Sequence, residues 1–89
     1  MISENITIVN KLGLHARAAS KLVNCASQFE SEVFISRLGN RVNAKSIMGV
    51  MMLAASKGVE LELVVEGNDE LPCRDAIVTL INDRFGENE

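Results

Sequence analysis

The segment "GLHARAAS", residues 13–20, holds the only histidine of the chain, His15, and places Arg17 two positions after it. The alanine-rich run that follows predicts a helix that begins at Ala16, with His15 as its cap residue. The backbone N–H groups of a first helical turn have no intrahelical partners and therefore favour a bound anion. Because a cap residue has non-helical dihedral angles, His15 and Arg17 can converge on one phosphoryl group.

These two side chains have complementary chemistry toward a phosphoryl group. Histidine has an ordinary pKa of about 6.5, so near neutral pH one ring nitrogen often keeps a free lone pair for nucleophilic attack. The product would be a phosphoramidate, which suits transient carriage, and Arg17 would supply a permanent charge in a forked donor geometry. From the spacing alone, an unreactive histidine in a surface loop is the more common arrangement, so specificity has to come from the rest of the chain.

The composition favours one folded domain over residues 1–89. The sequence is 47% hydrophobic and 24% charged, a mixture typical of soluble proteins. No apolar run approaches the roughly 20 residues that a membrane-spanning helix needs. The N-terminal "MISENITIVN" lacks the pattern of a secretory signal, so we expect a cytoplasmic protein without membrane insertion.

Charge and cysteine content argue against several classes of protein. The net charge is −3, and the only aromatic residues are Phe29, Phe34 and Phe85, whereas a nucleic-acid surface needs a basic stripe and usually stacking rings. Cys25 and Cys73 lie far apart and form no CxxC pattern, so we expect reduced, partly buried thiols and neither a metal site nor a redox pair. No feature of the chain requires a cofactor.

The first half of the chain predicts a strand, a helix and a hairpin. "NITIVN", residues 5–10, is a β-branched run with strand-like alternation. Residues 16–27 change to helical spacing, with an apolar stripe opposite a polar face. "EVFISR", residues 32–37, reads as a strand, "LGN" supplies a turn, and "RVNA" can return as its partner. The apolar stripe of the helix comprises Ala19, Leu22, Val23 and Ala26, and the polar face comprises Arg17, Lys21 and Asn24.

The second half predicts two more helices around a strand. Ser46 opens "SIMGVMMLAAS", whose spacing predicts a helix closed by Gly58. "VELELVVE" alternates strictly enough to predict a strand with one wet and one buried face. A third helix is predicted from a cap at Asn68 or Asp69 to a point before Gly86. The apolar stripe of the second helix comprises Ile47, Val50, Met51 and Ala54, and that of the third comprises Cys73, Ile77, Leu80 and Ile81.

The resulting order, βαββαβα, favours an α+β fold in which helices cover one face of an antiparallel sheet. Two segments then carry a resemblance to a known family. "KLGLHARAASKL" closely resembles the active-site segment of HPr, the histidine-containing phosphocarrier family of the bacterial phosphoenolpyruvate-dependent phosphotransferase system. "NAKSIMGVMMLAASKG", residues 43–58, is similar to the segment with that family's regulatory serine. The resemblance spans essentially the whole chain.

The resemblance implies a phosphoryl carrier that is a substrate of other enzymes and is not itself an enzyme. His15 would accept a phosphoryl group through Nδ1 from phosphorylated enzyme I, and would pass it to an EIIA-type acceptor of the sugar or the nitrogen-related branch. Arg17 would stabilise the transferred group, beside the backbone N–H of Ala16. The fold would be an open-faced sandwich of four antiparallel strands and three helices.

One position departs from the family pattern, because Ala18 stands where proline is usual. Alanine should preserve the helix and lose some stiffness, which bears on transfer rate or partner preference.

Ser46 has two interpretations. Serine is a preferred helix cap whose hydroxyl accepts a hydrogen bond from the first turn, with no regulation involved. The resemblance implies in addition that a dedicated HPr kinase phosphorylates this serine in some members and places negative charge beside a docking surface. That surface, for enzyme I and its relatives, would include an adaptable methionine-rich patch. The predicted docking residues are Ser20, Lys21, Asn24, Ile47, Met48 and Met51.

Three other classes stay open at this point. A purely regulatory module would bind a transcription factor through phosphorylated Ser46 and leave His15 idle. An acyl carrier protein also has a modified serine at a helix start, but "AKSIMG" lacks the aspartate expected before it, and "VELELVVE" does not fit an all-helical bundle. A generic α+β domain predicts no acid-labile phosphate on His15. For the carrier we expect a monomer, because its reactive face must be exposed.

Overall fold

The computed structural model describes residues 1–89 and contains one four-stranded antiparallel sheet with three α-helices. The strands are β1 (Ile2–Thr7), β2 (Glu32–Arg37), β3 (Asn40–Asn43) and β4 (Glu60–Glu66). The helices are α1 (Ala16–Ser27), α2 (Ile47–Met52) and α3 (Glu70–Asn82), and a short 3₁₀ turn, Arg84–Gly86, follows α3. The predicted order βαββαβα and the α+β fold class are confirmed.

The sheet has the strand order β1-β4-β2-β3, so β2 and β4 are internal and β1 and β3 form the edges. In β4, Leu61 and Leu63 are buried while Glu60 and Glu62 are exposed, as strand alternation requires. The register pairs Ile6 of β1 with Leu61, and Val33 of β2 with Val65. Apolar side chains of neighbouring strands therefore share one face, and they form a single core with the helices.

Helix α1 buries the stripe predicted for it. Its spacing of three and four residues puts the apolar side chains on the core side and the polar ones in solvent. Ala18 is also buried, so it lies on the core side of the first turn. None of the helices has the length and hydropathy needed to span a membrane. The buried stripe comprises Ala18, Ala19, Leu22, Val23 and Ala26.

The predicted bounds of the first strand are wrong. β1 begins at Ile2, opposite Val65, and ends at Thr7, opposite Glu60. The first half of β1 contains polar residues, so its composition does not indicate a strand. The start of β1 is set by its pairing with β4. The chain after Ile8 leaves the sheet and forms the loop that leads to α1.

The predicted extent of the second helix is also wrong. α2 ends at Met52 and does not continue to Gly58. The N–H groups of Leu53 and Ala54 bond to carbonyls three residues back, and Ala54 has a left-handed φ of 50°. Ala54 is consequently exposed and lies outside the helix, so it does not share the stripe of Val50.

The third helix has its predicted cap residue, Asp69, but that side chain does not bond to the helix. Its carboxylate accepts hydrogen bonds from the backbone N–H groups of Glu30 and Ser31, each at 2.9 Å, and from the Ser31 hydroxyl. Asp69 thereby ties the start of α3 to the start of β2. The predicted stripe is confirmed: Cys73, Ile77 and Ile81 are buried and Leu80 packs against the core.

Candidate functional site

His15 is the N-cap residue of α1, as the sequence predicts. Its backbone is extended (φ −71°, ψ 176°), and its carbonyl accepts the first helical hydrogen bond, from the N–H of Ala19 at 2.8 Å. Its imidazole makes no capping bond to the helix. The N–H groups of Ala16, Arg17 and Ala18 make no backbone hydrogen bond, so three donors at the helix start are free for an anion.

The loop before His15 is fixed from two sides. The fully buried side chain of Asn10 donates from Nδ2 to the carbonyl of Gly13 at 2.8 Å. The N–H of Leu14 donates to the carbonyl of Ala55 at 2.8 Å, which holds the loop against the segment after α2. These contacts set the position from which the His15 ring projects.

The imidazole of His15 meets a carboxylate from the other end of the chain. Nε2 of His15 is hydrogen-bonded to one oxygen of Glu87, and the other oxygen accepts a bond of 3.0 Å from Nδ2 of Asn10. The bonds from His15 and then Asn10 lower the pKa of the Glu87 carboxyl, so it is ionised near neutral pH. The side chains of His15 and Glu87 are 29% and 16% exposed, which leaves the ring accessible beside a largely covered carboxylate.

Residues 85–89 lie across the loop that precedes α1. Phe85 is fully buried, and its carbonyl accepts a bond of 2.6 Å from the ammonium group of Lys21. The backbone N–H of Lys11 donates to the carbonyl of Glu89 at 2.6 Å. Sequence reasoning missed both Asn10 and Glu87 as site residues. No motif marks them, and 72 residues separate Glu87 from His15.

Arg17 and His15 line the same open pocket, together with Ala16 and Glu87. The side chain of Arg17 is exposed and makes no hydrogen bond or ion pair within the chain. The pocket therefore combines a ring nitrogen, a free guanidinium and unpaired backbone donors. This set of groups can bind and accept a phosphoryl group.

Ser46 is the N-cap of α2, and its Oγ accepts a hydrogen bond of 3.2 Å from the N–H of Gly49. The capping role predicted for this serine is confirmed. Exposed apolar side chains follow it, and α2 contacts α1, so the predicted docking residues lie on two adjoining helices. Among the α1 members, Lys21 has its ammonium group bound to the Phe85 carbonyl. The exposed fractions are 44% for Ile47, 76% for Met48, 43% for Met51 and 78% for Met52.

Both cysteines are free thiols; Cys25 is partly buried, as predicted, whereas Cys73 lies in the core and is fully buried. Burial raises the pKa of Cys25, and it raises the pKa of the fully buried Cys73 to about 11, so neither is a ready thiolate. No group of three or more histidine, cysteine, aspartate or glutamate side chains is arranged to hold a metal ion.

Comparison with known proteins agrees with this geometry. The family model PTS-HPr, described as "PTS HPr component phosphorylation site", matches residues 2–83. The phosphocarrier protein HPr of Neisseria meningitidis serogroup A is 54% identical over 89 residues, which cover both chains completely. The crystal structure of HPr-C-His from Thermoanaerobacter tengcongensis superposes with a TM-score of 0.96 at 45% identity and covers both chains completely. A second structure from that organism, of an HPr dimer, has a TM-score of 0.79 at 46% identity and covers 98% of this chain and all of that one.

Proposed function

This chain belongs to the PTS-HPr family, and from that premise we propose that His15 is the residue on which it carries a phosphoryl group. The family makes the protein a phosphocarrier of the phosphotransferase system, which is a substrate of phosphoryl-transferring proteins and not an enzyme. The observation that supports His15 is its place at the N-cap of α1, beside three unpaired N–H groups and the free guanidinium of Arg17.

In the proposed transfer, the Nδ1 lone pair of His15 attacks the phosphorus of a phosphorylated donor protein. A new N–P bond forms as the bond from phosphorus to the donor breaks, and the donor atom keeps that electron pair. The N–H groups of Ala16 and its successors, with the guanidinium of Arg17, face the negative phosphoryl oxygens. The same groups stabilise the charge when the phosphoryl group leaves for the acceptor.

The proposed donor is phosphorylated enzyme I and the proposed acceptor is an EIIA-type protein, both meeting this chain in the cytoplasm. The exposed apolar residues of α2, Ile47, Met48 and Met51, support a docking surface there, because methionine side chains adapt to several partners. Ser20, Lys21 and Asn24 would extend that surface on α1. We propose Ser46 as a separate regulatory phosphorylation site, open to an HPr kinase because it is exposed.

The test is intact-mass analysis at mildly alkaline pH after the protein is mixed with phosphoenolpyruvate and enzyme I. The parent protein should gain one phosphoryl group, and that group should be lost in acid, as a phosphoramidate is. His15→Ala should gain none. Ser46→Ala is the matched control and should gain one phosphoryl group, like the parent.

A gain of one phosphoryl group by His15→Ala would overturn the assignment of His15 as the phosphorylated residue. No gain by the parent, with enzyme I active on another carrier, would move the proposal to a regulatory module centred on Ser46. Size-exclusion chromatography of both forms would test the expected monomer, which is a separate prediction because one relative is known as a dimer.

A further inference from the structure

The contact between His15 and Glu87 has a chemical consequence that depends on the direction of the hydrogen bond. An ionised carboxylate has only acceptor capacity, so the ring nitrogen that faces it must carry the proton. That nitrogen is Nε2. In the neutral ring the lone pair then lies on Nδ1, at the opposite side of the imidazole from Glu87.

The carboxylate is itself held in place. Asn10 is fully buried, and its Nδ2 bonds both to Glu87 and to the Gly13 carbonyl, so one amide links the tail to the loop that carries His15. The oxygen of Glu87 that faces His15 is therefore aimed by a second, buried side chain. The amide of Asn10 thus orients the carboxylate of Glu87, and that carboxylate orients the imidazole of His15.

The backbone before Glu87 is also built for this position. Arg84 and Phe85 have φ values of 55° and 54°, a left-handed conformation that is unfavourable for an L-residue. The burial of Phe85 and the bond from Lys21 to its carbonyl hold the chain there. Such conformations persist only where the surroundings impose them, and here they turn the chain toward His15.

We propose that Glu87 is a positioning residue for phosphoryl transfer: held by Asn10, it fixes the His15 ring with the proton on Nε2 and the lone pair on Nδ1. The inference rests on the proposed function of His15. Glu87 lies beyond residue 83, where the family match ends, so family membership does not assign it this role.

The role of Glu87 extends to the phosphorylated state. When Nδ1 forms its bond to phosphorus while Nε2 keeps its proton, the ring becomes a cation. The carboxylate of Glu87 then faces that charge across the Nε2–H bond. This pairing stabilises the phosphorylated imidazolium, much as a buried carboxylate stabilises the imidazolium of a serine hydrolase.

The first measurement is the tautomer of His15 in the unphosphorylated protein. ¹⁵N chemical shifts of the ring, recorded at mildly alkaline pH, should show a protonated Nε2 and an unprotonated Nδ1 in the parent. In Glu87→Gln the amide can face the ring with its oxygen or its NH₂ group, so both tautomers should be populated and the two shifts should move toward each other. Thermal unfolding of each variant checks that the fold is kept.

The second measurement is the rate of phosphoryl acceptance from enzyme I. Glu87→Gln should lower kcat about tenfold to a hundredfold, the range expected for losing a charge-assisted hydrogen bond, with the KM for the carrier unchanged. Glu87→Asp should recover part of the rate. Asp83→Asn is the matched control: it removes one negative charge just after α3, from an exposed side chain that makes no hydrogen bond, and should keep parental shifts and rate.

A parent with its proton on Nδ1, or Glu87→Gln with parental ring shifts, would overturn the tautomer assignment. A parental rate in Glu87→Gln would overturn the role in transfer. Because the ring shifts are read without phosphorylation, they decide the tautomer even where the parent accepts no phosphoryl group, an outcome that would contradict the proposed function.

Discussion

Gly13 shows how closely the loop before His15 packs against the rest of the molecule. A Cβ at this position would lie 2.5 Å from the carbonyl oxygen of Ala55 and 2.8 Å from the Cα of Ser56, and the φ of Gly13 is +69°. Because both neighbours are backbone atoms, Gly13→Ala combines a left-handed backbone cost with a clash. We expect it to lower the free energy of unfolding by roughly 2–5 kcal/mol, measured by urea denaturation.

Gly58→Ala is the matched control for this substitution. Gly58 also has a left-handed φ, +88°, but no atom lies within 4 Å of its would-be Cβ. Gly58→Ala should lower the free energy of unfolding only by the cost of the left-handed backbone, roughly 1–2 kcal/mol. Equal losses in the two variants would contradict the close packing of the His15 loop.

Helix α2 is too short to be stable by itself and depends on its ends. It has six residues, only Val50 is buried, and its first turn is capped by the Ser46 hydroxyl. Isolated helices below roughly 12 residues are marginal in water, so loss of a cap should act on the whole element. Ser46→Ala should lower the free energy of unfolding by about 1 kcal/mol in urea denaturation, whereas Ser46→Asp, which keeps an acceptor at the helix start, should not.

The control for the cap is Ser56→Ala. Ser56 is exposed, lies outside the helices and makes no side-chain hydrogen bond, so its loss should leave stability within about 0.5 kcal/mol of the parent. A Ser46→Ala protein as stable as the parent would show that packing alone holds α2.

Three carboxylates join segments that are distant in sequence, and in each the pKa is lowered. The pKa of Asp69 is lowered first by the hydrogen bond from the Ser31 hydroxyl and then by that from the Glu30 N–H. The pKa of Glu70 is lowered first by the N-terminal ammonium group, and the pKa of Glu87 first by His15. A lowered folded-state pKa contributes stability that is fully present above the unfolded-state value. For Asp69 that ordinary value is 3.8.

The free energy of unfolding should therefore decrease as the pH falls below about 4, because these carboxylates become protonated as the pH approaches their lowered folded-state pKa values. Asp69→Asn should lower stability at neutral pH and flatten this decline, measured by urea denaturation between neutral and acidic pH. Asp83→Asn, at an exposed carboxylate without a side-chain hydrogen bond, should keep the parental slope. A parental slope in Asp69→Asn would show that its bonds to Ser31 and Glu30 do not link α3 to β2 energetically.

The fold class, the core face of α1 and the alternation of β4 could all be predicted from the amino-acid sequence. It also placed His15 and Ser46 at two helix starts. These features are local: the burial of one face of a helix or strand is repeated every few residues, so the spacing of apolar side chains reports it. The segments around His15 and Ser46 also allowed the family to be predicted, because the characteristic residues of each motif lie within one short continuous stretch of sequence.

The end of α2, the partners of the Asp69 side chain and the carboxylate that meets His15 depend on long-range contacts in the folded chain. The chain after α2 is held by the loop before α1, and Asp69 bonds to Ser31 in place of its own helix. Glu87 reaches His15 because α3 and the buried Phe85 bring the end of the chain back to the start of α1. Such contacts join residues tens of positions apart, and no local periodicity records which distant partners will meet.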